Sequence, residues 1–216
     1  MVSCATSLSS LEDVLLHPKI WKGRSGAFDQ ASVSTGFAEL DRLLPGGGWP
    51  QGAITEFFVD RAGIGELRLL IPALGTLCGR LTVWIAPPFI PYAPALVRHG
   101  LDLSRLLLVF ADDVVSALWA AEQALHSQRG ITVFAWLRAA GPIDLRRLQL
   151  VVEKNASWVV LFRPVTALGQ RSSAALQLGL TRQSASLMQV EIFKCRGRKP
   201  GVVSLRVPRA ERGTSG

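Results

Sequence analysis

The sequence predicts an α/β protein with a mostly parallel central sheet flanked by helices and with antiparallel strands near the C-terminus. Two features of the pattern carry this. Continuous apolar runs at residues 54–59, 81–86, 106–110, 131–137 and 157–165 are separated by segments of helical character, the alternation of a doubly wound sheet whose strands are covered on both faces. From residue 174 onward, the runs 174–182, 187–196 and 202–207 turn to mostly period-two alternation, which suits antiparallel strands at one side of that sheet.

Residues 1–33 form an N-terminal helical segment and linker outside the main fold. Leu8, Leu11, Leu15 and Leu16 fall at near-helical spacing before Pro18 and Trp21, and a polar stretch with Phe28 and Ala31 follows. The main domain spans residues 34–207. It opens with a turn at Thr35, a short helix, a glycine-rich loop at Gly46, Gly47 and Gly48, and the strand 54–59. A helix is expected over 66–79, ended by Gly79 and interrupted or kinked by Pro72. Further helices start near Ala93, run over 112–128 and open at Pro142. In the second, Asp112 or Asp113 is the N-cap, and Leu118, Trp119, Ala121 and Leu125 are expected to form the apolar face. The tail 208–216, rich in charge, Gly and Ser, reads as disordered.

Composition bounds the function. With 216 residues, 49% hydrophobic and 19% charged, the chain can bury a full core and is not globally disordered. A net charge of +8 suits a polyanion, an acidic partner, or solubility alone. Cys4, Cys78 and Cys195 are odd in number and lack ligand spacing, and His17, His99 and His126 sit on separate segments. Neither a disulfide framework, a metal site nor a catalytic triad is expected. The N-terminus lacks a basic region followed by an apolar one, and no apolar run is long enough to span a bilayer. The expectation is a cytoplasmic chain.

Residues 54–70, ITEFFVDRAGIGELRLL, have the outline of a strand, a glycine-bearing turn and a helix that cradles a nucleotide. The chemistry is missing. After Gly63 and Gly65, Glu66 and Leu67 stand where a working loop has a lysine for the β/γ-phosphates and a hydroxyl for Mg²⁺. At about 4 Å and an effective dielectric near 20, exchanging that lysine for a carboxylate turns attraction into repulsion of roughly 4 kcal/mol. The second notable cluster is FKCRGRKPG, where alternation is expected to put Lys194, Arg196 and Arg198 on one strand face, with Lys199 beside them. A protein partner, DNA phosphates and a merely solvated hairpin tip are all open readings of that cluster.

The ordered strings TGFAELDRLL, GGGWPQGAITE, GIGELRLL, WIAPPFIPYAPALVRHGLDLSRLLLV, ALWAAEQAL and FKCRGR resemble the SulA-like branch of the RecA-like superfamily, and within it the ImuA family of translesion-synthesis accessory proteins. The resemblance covers most of residues 34–207. It implies a RecA-like core in which several ATPase positions are lost: Pro87 and Pro88 where a water-activating carboxylate belongs, Ala135 where a Mg²⁺-binding aspartate belongs, and Arg163 with Pro164 where a γ-phosphate sensor belongs. It also implies that the DNA-binding loops are reduced to the short segments 139–142 and 166–173, the latter holding Arg171, and that Phe28 and Ala31 echo a subunit-hooking motif. The implied function is a non-catalytic, cofactor-free factor of SOS-induced translesion synthesis and mutagenesis. It would contact RecA, ImuB and, indirectly, the DnaE2 polymerase, associate with the nucleoid when recruited, and be open to self-association and direct DNA contact. The alternative that the same branch implies is a division inhibitor of the SulA type that binds FtsZ.

Overall fold

The structure, a computed structural model, describes residues 31–207; the expected N-terminal helix, Phe28 and the tail lie outside the described residues. Ten strands are present among them: β1 (Ser32–Val33), β2 (Trp49–Pro50), β3 (Ala53–Val59), β4 (Thr82–Ile85), β5 (Leu106–Val109), β6 (Thr132–Trp136), β7 (Trp158–Pro164), β8 (Leu176–Arg182), β9 (Leu187–Cys195) and β10 (Gly201–Arg206). The helices are α1 (Ala38–Asp41), α2 (Ile71–Thr76), α3 (Ala93–Arg98), α4 (Val114–Ser127) and α5 (Pro142–Asn155). β1 and β2 form a small antiparallel ribbon that the sequence reading did not anticipate, and the other eight make one sheet in the order β10-β9-β8-β3-β7-β6-β4-β5.

The strands from β3 to β7 pair in parallel, as their continuous apolar runs predict. β8 is the seam: it lies parallel to β3 on one side and antiparallel to β9 on the other, and β9 continues antiparallel to β10. Two cores flank the sheet. On one face, β3, β6, β7, β8 and β9 pack under α1, α2 and α3 through residues such as Leu40, Phe57, Leu70, Phe134, Val160 and Val190. On the other, α4 and α5 cover Ile54, Val83, Val133, Ala135, Val159 and Leu161. The first core carries a row of aromatic rings: Trp49 meets Phe57 edge-on, Phe57 meets Phe162, and Phe162 stacks on Trp136 at 4.6 Å.

Several elements follow from local chemistry. Asp113 caps α4 by accepting the Ser116 backbone N–H at 2.8 Å. Gln149 of α5 is buried; its Oε1 accepts the Ile54 N–H at 3.0 Å, which ties the helix to the entry of β3. In the string TGFAELD, Asp41 accepts the Thr35 N–H at 2.9 Å and the Ser34 hydroxyl at 2.7 Å, closing the turn into α1. Gly36 has φ +82 and its missing Cβ would lie 2.5 Å from Pro72.

Two expectations are corrected. The helix expected over 66–79 is a 3₁₀ turn, Glu66–Leu69, followed by the six-residue α2, with Pro72 in its first turn. Proline lacks the N–H that would bond back into the preceding turn and clashes with the carbonyl four residues earlier, so a new helix starts there. Trp119 is 63% exposed, whereas Ala117, Leu118, Ala121 and Leu125 are buried. At about 100° per residue, Trp119 lies well away from the direction these four share.

Gly48 seats the small ribbon. A Cβ there would fall 2.1 Å from the Val33 carbonyl oxygen. Gly48→Ala is therefore expected to destabilise the domain by roughly 1–3 kcal/mol, the scale of overpacking against backbone. Urea unfolding of the two proteins reads this directly, and an unchanged midpoint would mean the ribbon is free to peel away.

Candidate functional site

In open α/β sheets ligands meet the carboxyl ends of the strands. Here those ends frame an open cleft of about 870 Å³. Asp60 and Arg61 follow β3, Pro88 and Phe89 follow β4, Trp136 and Arg138 come from β6 and its exit, and Phe162, Arg163 and Pro164 end β7. Pro88 and Pro164 thus do stand at the mouth. Ala135 does not: it is fully buried in the core under α4 and α5. The cleft does hold carboxylates, Asp60, Asp112 and Asp113. Asp113 is committed to the α4 cap, where the backbone N–H and the hydroxyl of Ser116 hold its carboxyl below the usual range.

The loop between β3 and the 3₁₀ turn brings Gly63, Gly65 and Glu66 together. Gly63 and Gly65 have φ of +80 and +105, which glycine adopts without strain. Their N–H groups converge on one acceptor pair: Gly63 donates to Glu66 Oε1 at 3.0 Å and Gly65 to Glu66 Oε2 at 3.0 Å. Glu66 is only 4% exposed. Leu67 is half-buried and packs on the first core. The Arg68 side chain passes beside Gly65 and donates to the Ala185 carbonyl at 3.3 Å.

Arg163 enters a buried ion pair that sequence reasoning missed. Its Nη1 donates to Glu56 Oε1 at 2.7 Å, and both side chains are at most 1% exposed. Nη2 donates to the Ala140 carbonyl at 2.7 Å and to Gln170 Oε1 at 2.9 Å, while Gln177 donates to Glu56 Oε2 at 2.7 Å. Register explains the assembly: Gln177 lies directly across from Glu56 on β8, and Arg163 sits two positions along β7 from Leu161, the β7 partner of Glu56. The available signal was one charge in each of two otherwise apolar strands, Glu56 in AITEFFV and Arg163 in WVVLFRP.

The basic cluster divides. Lys194, Arg196 and Arg198 do not share a strand face, because β9 ends at Cys195 and Arg196 and Arg198 lie in the turn beyond it. Lys194 lies across from Gln177, is half-buried, and donates from Nζ to the Ser172 carbonyl at 2.9 Å. Burial and the neighbouring Arg196 hold its pKa below the ordinary lysine range, with Glu56 opposing them. Arg196, Arg198 and Lys199 are exposed in the β9–β10 turn, and Arg198 is anchored to the Arg42 carbonyl. Between them Cys195 faces inward, and burial pushes its thiol up to about 11. Ala31 is exposed and its carbonyl accepts the Gln51 N–H at 2.7 Å. Arg171 is exposed and with Arg138 lines a smaller hollow beside the start of α5.

Removing one partner of a buried ion pair strands the other charge, at a cost of about 3–5 kcal/mol, whereas exchanging both for apolar groups of similar volume is far less costly. Glu56→Leu and Arg163→Met are each expected to destabilise by that amount, and the double variant Glu56→Leu/Arg163→Met to recover most of it. A double-mutant cycle in guanidinium chloride measures the coupling, and additive losses would mean that the two side chains act independently.

No protein-family model matches the chain. Among curated proteins it is similar to Protein ImuA of Caulobacter vibrioides strain NA1000 / CB15N, at 30% identity over 210 residues that cover 84% of this chain and 85% of the relative. The same figures hold for Protein ImuA of Caulobacter vibrioides strain ATCC 19089 / CIP 103742 / CB 15. With that identity extending over most of both sequences, the chain belongs to the ImuA family.

Proposed function

We propose that this protein is a non-catalytic RecA-like accessory factor of SOS-induced translesion synthesis, acting through contacts with RecA and with the ImuB/DnaE2 machinery. The observation that carries the non-catalytic part is the occupied loop. In a nucleotide loop the backbone N–H groups hold phosphate oxygens, and here those of Gly63 and Gly65 hold the Glu66 carboxylate. Arg163, the counterpart of a phosphate sensor, is spent on Glu56. Family membership supports the biological setting, and the strings that resemble RecA-like proteins support a role at a RecA interface.

The surface assigned to that contact is the β9–β10 turn. Arg196, Arg198 and Lys199 are exposed there within five residues that hold no carboxylate, so the turn offers positive charge to an acidic patch and sets association rate and specificity more than raw affinity. Lys194 is assigned to the interior, where it braces Ser172.

Purified protein is expected to capture RecA and ImuB, to lower the DNA-dependent ATPase of RecA at saturating ratio, and to hydrolyse no ATP itself. Arg196→Glu/Arg198→Glu is expected to weaken RecA capture by roughly tenfold or more, as reversal of two charges at an interface does. RecA activity that stays unchanged at saturation sinks the reading. Co-sedimentation with FtsZ in place of RecA would transfer the protein to the division-inhibitor class.

A further inference from the structure

A loop built to grip a ligand ordinarily takes its final shape only when the ligand is present, because convergent N–H groups need an acceptor and bear a desolvation cost without one. In this chain the acceptor is covalently part of the loop. The two oxygens of Glu66 are divided one each between Gly63 and Gly65 at 3.0 Å, the carboxylate is almost fully enclosed, and both glycines hold φ values that would strain any other residue. The surroundings fit the closed form closely. A Cβ at Gly63 would stand 3.2 Å from the Phe89 ring, and one at Gly65 3.4 Å from the end of Met188. The loop is thus packed from the cleft side by the segment after β4 and from the sheet side by β9.

We infer that Glu66 is a built-in lock: its carboxylate holds residues 60–66 in one conformation that does not depend on any bound anion, and the locked loop is the fixed wall against which Phe89 stands at the rim of the cleft. Phe89, Ile90 and Tyr92 are 65%, 81% and 69% exposed, so the lock sets the position of an apolar rim rather than of a reacting phosphate. A protein whose partners must read its shape without a nucleotide state gains a constant surface from such a device. The inference deepens the non-hydrolytic reading of the loop and is independent of which partners are bound.

Amide hydrogen exchange of the full chain, resolved to single residues by NMR, tests it. In the wild type the Gly63 and Gly65 amides are expected to be protected, and millimolar pyrophosphate or Mg-ATP to leave their rates unchanged. Glu66→Ala is expected to raise both rates roughly tenfold or more, the scale of a hydrogen bond to a charged acceptor. Glu66→Gln, which keeps one accepting oxygen, is expected to raise one rate and spare the other. It serves as the decisive variant if Glu66→Ala does not fold, a state that loss of protection across the β3 and β7 amides would reveal. Pyrophosphate or Mg-ATP increasing protection in the wild type overturns the inference, as do unchanged Gly63 and Gly65 rates in a folded Glu66 variant. Failure of RecA or ImuB capture would overturn the partner reading while leaving these exchange rates as stated.

Discussion

The arrangement on which most of the structure converges is the buried pair of Glu56 and Arg163. Taking two charges out of water costs several kcal/mol for each ion, and their attraction offsets this only where the remaining donors and acceptors are met. That condition draws in Ala140 from the exit of β6, Gln170 from the crossover between β7 and β8, and Gln177 from β8 itself. A link across the sheet thereby becomes a clamp on the segment that must pass over β3 to place β8 beside it. Arg163 Nε, without a partner among the described residues, is the one contact the cluster leaves unmade. A pair of this kind is a weak source of net stability and a strong specifier of arrangement, because each wrong register would strand a charge.

Much of the fold was legible because strand and helix periodicities are strong where both sheet faces are covered. Four parallel core strands were read to within a residue or two, and β7 likewise, since their apolar runs have no competing explanation. What escaped depended on information that periodicity does not carry. The β1–β2 ribbon is two residues long on each side, held by a close approach at Gly48. The division of the 66–79 segment turned on Pro72, whose effect is a choice between kinking a helix and starting one. β8 reads as an antiparallel strand because one neighbour is antiparallel; its other neighbour, β3, was invisible to local pattern.

The site was legible in part for the same reason. The loop that carries Gly63, Gly65 and Glu66 stands out in the sequence, but a motif reading registers only that Glu66 stands where a nucleotide loop would have its lysine, and stops there. Only the geometry shows the carboxylate turned back onto its own loop. The basic cluster erred in the opposite way: four cations close in sequence looked like one feature, and the end of β9 at Cys195 left Lys194 in the strand and the other three in the turn beyond it.

The pairing of Glu56 with Arg163 joins positions separated by 107 residues along the chain. The hairpin of β9 and β10, by contrast, closes over a turn of a few residues. Loop-closure entropy favours the near contacts first. The pair can therefore form only once β3 and β7, the strands that carry it, have come together. A contact made after the folding barrier acts chiefly on how slowly the finished molecule comes apart, so the unfolding rate is where a late-forming pair would register.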